Sequence, residues 1–187
     1  MEIYVAYKDY LWMMEFTEKI LEKVAMDLHG TTKVPLGEHV IDYKAPYRRI
    51  AMTDAIKEYA GIDITDMTED DLRRECDRME IGHTPTMGKG KLIDHIFEEK
   101  CEHHFIQPTF ITDYPIENSP LTKLKPGSKD IVDRFELFIG GHEYANAYTE
   151  LNDPIDQRSR FIQQAQERAK GDDEAMQIDE DFMLAME

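Results

Sequence analysis

The stretch RFELFIGGHEYANAYTELND, residues 134–153, decides how the chain is read. Two segments of alternating side chains flank Gly140-Gly141, the pattern of a tight β-hairpin. In the second segment Asn146, Tyr148 and Glu150 occupy every other position, so all three project from one face. Ala145, Ala147 and Leu151 take the opposite face and can pack. A strand face that carries an amide, a phenol and a carboxylate is either a wetted sheet surface or a binding surface. Spacing alone does not choose between them. Glu136 lies between Phe135 and Leu137 on the first strand, and Glu143 opens the second. Glu143 has the opposite parity to Asn146, so it joins that face only through a bulge or a turn position.

Upstream of the hairpin, residues 108–113 predict a strand, and Tyr114-Pro115 predicts a turn into a loop ending at Lys123. Residues 123–130, with Pro126-Gly127, read as a mobile loop. Downstream, Asp153-Pro154 has the form of a helix cap followed by its first residue. That helix is expected to reach about Lys170, with Ile155, Ile162, Ala165 and Ala169 inward and Gly171 as its stop. Residues 172–187 hold acids and no base, with Phe182, Met183 and Ala185 available for packing.

At the other end, residues 1–7 alternate and predict a strand, with Glu2 and Tyr4 on one face and Ile3 and Val5 on the other. Asp9 is placed to cap a helix to about Leu28, with Met13, Phe16, Ile20, Val24 and Leu28 as its apolar stripe. Gly30 follows its end. Short strands are expected at 31–35 and 39–43, around Leu36-Gly37-Glu38. Pro46 opens a different region, and from residue 53 to 104 the pattern is short helices joined by polar turns. Thr53 and Thr68 are its candidate caps, and an acidic turn after Thr68 suits the helix dipole. Leu72, Cys76 and Met79 share one stripe, and Ile93, Phe97 and Cys101 another, so both cysteines read as small buried residues.

With 187 residues and 41% hydrophobic content, the chain can bury one core, with room for a small appendage. No apolar run approaches the roughly 18 residues of a membrane span, and no signal pattern opens the chain. Two distant cysteines offer no disulfide framework, which makes the cytoplasm the expected compartment. A net charge of −17 excludes a general DNA- or RNA-binding surface, since phosphate needs clustered Lys and Arg.

Two motifs in residues 46–104 do not carry chemistry. Met87-Gly88-Lys89-Gly90-Lys91 has the wrong spacing back to Gly82 for a phosphate loop, and Gly90 stands where Ser or Thr must follow the lysine. It reads as a glycine-rich helix entry. His95, Glu99, Cys101, His103 and His104 lack a second ligand pair at zinc spacing and read as surface histidines beside a core cysteine.

Residues 134–154 resemble the strand pair between motifs 2 and 3 of class II lysyl-tRNA synthetases of bacterial type. MEIYVAYKDY at the start, FITDYPIENSPLTK before the hairpin and GDDEAMQIDEDFMLAME at the end resemble the same family in the same order. Asn118 departs from the family pattern, which usually has an apolar residue there. The resemblance implies an α+β fold: part of the class II antiparallel sheet with flanking helices, plus a small helical insertion. Residues 1–45 would form the first part of the catalytic core, 46–104 the insertion and 105–187 the second part. It also implies a catalytic-domain fragment that runs from the end of motif 2 to just before motif 3, inactive alone, with the anticodon-binding domain N-terminal to it.

For the whole enzyme the resemblance implies activation of lysine by ATP and transfer to tRNA(Lys), in a homodimer with no membrane or DNA partner. No catalytic residue is assigned. Glu136 and Glu143 would hold ATP and Mg2+, a hard ion that usually takes one or two protein carboxylates beside phosphates and water. Glu150 and Tyr4 would take the lysine ammonium with Glu2 close by, Tyr148 would flank the aliphatic stem, and Asn146 would orient the carboxylate. Two alternatives stand beside this reading. One is a related ligase that attaches lysine to a protein. The other is a noncatalytic acidic interaction module that keeps the fold, disfavoured because Glu2, Glu136, Glu143, Asn146 and Glu150 are all intact.

Overall fold

The computed structural model describes residues 1–169, 171 and 175–187. Its centre is a four-stranded sheet. Strands β4 (Thr109–Pro115), β5 (Ile131–Ile139) and β6 (His142–Tyr148) pair antiparallel in succession. The β5–β6 turn is Gly140-Gly141 with φ of 63° and 78°, a conformation a two-residue hairpin needs and glycine supplies without strain.

β3 (Arg48–Ala51) pairs parallel with β4, an edge strand the sequence reading missed. Its sequence RRIA is short and has no alternation to betray it. These residues fall inside the stretch expected to be the helical insertion but belong to the sheet. β3 runs directly into α2 (Met52–Tyr59), so Ala51 holds the cap position and Thr53 lies within the helix. A bulge at Asp113, φ 62°, carries β4 through Tyr114 instead of turning there.

Helix α1 (Tyr10–His29) starts at Asp9, whose carboxylate accepts the Trp12 N–H at 2.9 Å, and ends at Gly30 with φ 68°. The span is as expected; the stripe is not. Tyr10, Met14, Glu18 and Ala25 are buried, while Val24 and Leu28 are exposed. The helix turns this way because Glu18 has partners inside: it accepts the Tyr47 N–H at 3.0 Å and lies 3.6 Å from Arg49. The β1 (Lys33–Leu36) and β2 (His39–Asp42) hairpin follows around Gly37. Residues 1–7 form no strand, although their side chains alternate. Alternation suits a strand only where a neighbour completes the ladder, and β6 stands at the sheet edge.

The two sheet faces have different covers. Phe110, Phe135, Leu137 and Ile139 pack against Tyr10, Met14, Ile41 and Tyr47. Ile111, Tyr114, Val132 and Phe138 pack against α2, α3 (Glu69–Arg78) and α4 (Lys89–Lys100) through Ile56, Leu72, Leu92 and Phe97. Cys76 and Cys101 are buried there as expected, and burial pushes the Cys101 thiol up to about 12. Residues 61–80 and 81–100 trace the same course of extended segment, turn and helix, with Met67 matched by Met87 and Leu72 by Leu92.

Helix α5 (Pro154–Ala169) begins after Asp153, whose carboxylate accepts the Ile155 N–H at 2.9 Å. Its expected end at Lys170 lies outside the described residues, as do Asp172, Asp173 and Glu174. Ile155 and Ile162 are exposed, and the buried face is Gln157, Arg160 and Phe161. The loop below dictates this. Arg160 donates to the Thr122 carbonyl at 2.5 Å and pairs with Asp156, and Gln157 donates to the Pro120 carbonyl at 3.0 Å. Buried carbonyls need donors, and isoleucine offers none. α6 (Glu180–Met186) rests on α5 through Phe182 on Phe161 and a two-bond Arg158–Glu180 pair.

Arg160→Met is therefore expected to lower the unfolding free energy by about 2–4 kcal/mol, since it orphans buried acceptors and Asp156. Arg158→Met, on an exposed pair, should leave the urea midpoint near wild type. Equal effects would contradict this account.

Candidate functional site

The hairpin is not regular. Leu137 faces Ala145, but Phe138 faces Glu143, which leaves Tyr144 as the extra residue of a bulge. Residues directly opposite on antiparallel strands share a face. The bulge thus turns Glu143 onto the face of Glu136 and Asn146, which oppose each other, and removes the parity conflict in the sequence. Arg134 opposes Tyr148 on this face, and beyond the strand end Glu150 forms an isolated bridge with Thr122.

Arg134 holds the face together. Its Nη2 donates to Glu136 Oε1 at 2.5 Å, its Nε to Asn146 Oδ1 at 3.3 Å and its Nη1 to the Asn118 carbonyl at 3.1 Å and Ser119 Oγ at 2.9 Å. The guanidinium also lies 4.7 Å from the centre of the Tyr114 ring, a cation–π arrangement. Tyr114 in turn donates its hydroxyl to Glu136 Oε2 at 2.8 Å. The Arg134 and Glu136 side chains are 16% and 14% exposed, so this is a largely buried pair.

Burial pushes the Glu136 carboxyl up, Arg134 and the Tyr114 hydroxyl pull it back, and the charge of Glu143 pushes it up again; the net direction is upward. Asp94 of α4 is pushed up to about 7 by burial and then by Glu136. Glu102 also rises to about 7, through burial and the charges of Glu98, Glu136 and Glu143. The face has crowded carboxylates with the largely buried Arg134 guanidinium against them. Such a field attracts a further cation.

The structure brings Glu136, Glu143 and Asn146 together and sets Tyr148 beside them. Tyr148 is half-buried, and its phenol is held above its usual value by burial, then by Glu150 and Tyr4. Tyr4 is thus within electrostatic range of the pair while 83% exposed. Glu150 is exposed, with its carboxyl raised by partial burial. Glu2 is exposed and makes no described contact with the group. Sequence reasoning missed Arg134, Tyr114 and Asp94. Arg134 was within reach of it: it sits two positions before Glu136 and so on the same strand face. Tyr114 was hidden by a Tyr-Pro pair that reads as a turn.

A family model for class II tRNA synthetases (D, K and N) matches residues 1–187. The chain belongs to this family. It is 62% identical over 187 residues to a lysine–tRNA ligase of Porphyromonas gingivalis, covering all of this chain and 32% of that protein. It is 59% identical to a lysine–tRNA ligase of Christiangramia forsetii, covering 33% of it, and 53% identical over 186 residues to that of Azobacteroides pseudotrichonymphae, covering 37%. The chain thus spans about a third of the length of the curated relatives it matches. The sheet with its helices on both faces is the α+β arrangement expected of a class II synthetase domain.

The raised Asp94 carboxyl has a stability consequence. Its ordinary value is 3.8, so between about pH 4 and 7 the folded chain keeps a proton that the unfolded chain releases. Stability contributed by this group is full at the acid end of that window and is lost as pH rises through it. Melting temperature measured from pH 5 to 7 should fall less steeply in Asp94→Asn than in wild type. Identical slopes would place the Asp94 titration elsewhere.

Proposed function

We propose that the chain is part of the catalytic domain of a lysine–tRNA ligase. The observation that carries this reading is the single sheet face that holds Glu136, Glu143, Asn146 and Tyr148, with Arg134 joining Glu136 to Asn146 and Glu150 just beyond the end of β6. A carboxylate beside a phenol, at Glu150, Tyr148 and Tyr4, suits an ammonium on an aliphatic stem. Asn146 lies one strand step away with its amide oxygen turned to Arg134, which leaves its Nδ2 to meet a substrate carboxylate. Glu136 and Glu143 form the acidic end. Lysine, extended along β6, would place its ammonium at Glu150 and its carboxylate toward Asn146, facing the end where ATP is held.

Mg2+ fits this acidic end by the chemistry of its donors. Each Glu136 oxygen accepts one hydrogen bond and keeps a lone pair, and the like charge of Glu143 beside it is relieved by a cation. Two carboxylates match what the ion takes from protein when phosphates supply the rest. Held by Glu136 and Glu143, such an ion would supply charge compensation for the phosphates of ATP, whose α-phosphate the lysine carboxylate attacks to give lysyl-adenylate and pyrophosphate. The part of this chain is to hold and align the two substrates. The same reading makes the full-length protein a cytoplasmic homodimer that then passes lysine to tRNA(Lys).

The test is lysine-dependent ATP–pyrophosphate exchange on a chain extended to the length of its relatives. Glu150→Gln removes the charge that answers the ammonium; a hydrogen bond between charged groups contributes about 1.5–3 kcal/mol, so exchange should fall by about 10- to 100-fold. Near-wild-type exchange would remove Glu150 from the role. A well-folded extended chain that shows no lysine-dependent exchange would overturn the whole reading.

A further inference from the structure

The helical segment reaches the polar face through one side chain. Asn118, in the 3-10 turn Ile116–Asn118, donates its Nδ2–H groups to the Gly90 carbonyl at 3.0 Å and to Asp94 Oδ2 at 2.6 Å. Its own main-chain carbonyl accepts from Arg134 Nη1, with Ser119 Oγ as the neighbouring acceptor. A continuous path of hydrogen bonds thus runs from α4 through Asn118 and Arg134 to Glu136 and Asn146. Asp94 faces Glu136, Arg134 and Tyr114 of the sheet and Lys91 of its own helix.

Comparison of the two 20-residue units shows what this contact requires. The first starts its helix with Thr68, which makes a reciprocal capping box with Asp71, and has Asp70 in its first turn. At the matching positions the second has Gly88, without a side-chain cap, and Gly90. A glycine inside a helix costs about 1 kcal/mol relative to alanine. The reason for Gly90 is contact. It is buried, and a Cβ there would lie 2.5 Å from Asn118 Oδ1 and 2.8 Å from Glu117 Cβ. The second unit gives up helix stability where it touches the turn.

We propose that Asn118 is a positioning residue: anchored by Gly90 and Asp94, it fixes the Arg134 guanidinium and, through it, the orientation of Glu136 and Asn146. The helical segment then acts as a strut for the polar face. Its consequence for activity rests on the lysine-activation reading above, whereas the positioning itself is measured without substrate.

The experiment is hydrogen exchange at the Arg134 Nε–H, followed by NMR on the 15N-labelled chain. Asn118→Ala deletes the anchoring amide but keeps the carbonyl that accepts from Arg134. Exchange should quicken at least about tenfold in this variant, a loss of roughly 1.4 kcal/mol of protection, while β5 and β6 amide shifts hold. Asp94→Ala should do the same from the other side and serves if Asn118→Ala does not fold. Asp94→Asn keeps an acceptor for Asn118 and should stay near wild type. Unchanged Arg134 exchange in a folded Asn118→Ala or Asp94→Ala chain would overturn the proposal. In the full-length protein, Asn118→Ala should lower ATP–pyrophosphate exchange about tenfold, with Asp94→Asn spared. Absence of exchange in wild type would defeat the functional reading and leave the NMR result to decide the positioning.

Discussion

One largely buried guanidinium, that of Arg134, sets the conditions for the polar face. Arg134 enters a sheet whose other side is phenylalanine and leucine, and it meets Glu136, Asn146, Asn118 and Ser119 at once. Desolvating a charge is tolerable only when a counter-charge and hydrogen-bond acceptors surround it. Glu136 supplies the first, and the turn after β4 supplies carbonyl and hydroxyl. The planar fork of arginine contacts four residues, an arrangement a lysine could not reproduce. Because both Glu136 and Asn146 are tied to the same fork, their relative placement is a property of Arg134 as well as of the backbone.

The backbone contribution is the bulge. A regular β6 would send Glu143 to the face occupied by Ala145 and Ala147, among the packed side chains beneath α1. One extra residue at Tyr144 reverses this and adds a second carboxylate to the acidic end. The cost is mutual repulsion, which adds to burial in raising the carboxyls of Glu136 and Glu102. Concentrated negative charge of this kind is unfavourable for the free protein and favourable once a cation or an ammonium ion arrives.

Much of this was legible in the sequence where a short pattern has one physical meaning. Gly140-Gly141 between alternating segments specified the hairpin, Asp9 and Gly30 bracketed α1, and the spacing of Asn146, Tyr148 and Glu150 put them on one face. The two misread helix faces share a cause: burial of polar groups that pattern reasoning assigns to solvent. Glu18 turns inward on α1 because Tyr47 and Arg49 receive it, and Arg160 and Gln157 replace isoleucines on the inner face of α5 because loop carbonyls lie below. β3 carries no alternation, and its place in the sheet is set by β4 across a gap of some sixty residues. The twenty-residue repeat went unseen because few of its side chains coincide, although its backbone course does.

The central claim is that Arg134 presents Glu136 and Asn146 as a prepared substrate face, and Arg134→Lys tests it most directly. The measurement is lysine-dependent ATP–pyrophosphate exchange in the full-length protein, with circular dichroism to confirm the fold. The account predicts a fall of at least about 100-fold, because lysine keeps the charge but loses the fork. Exchange within about threefold of wild type would contradict it, and would mean that charge alone holds the face in place.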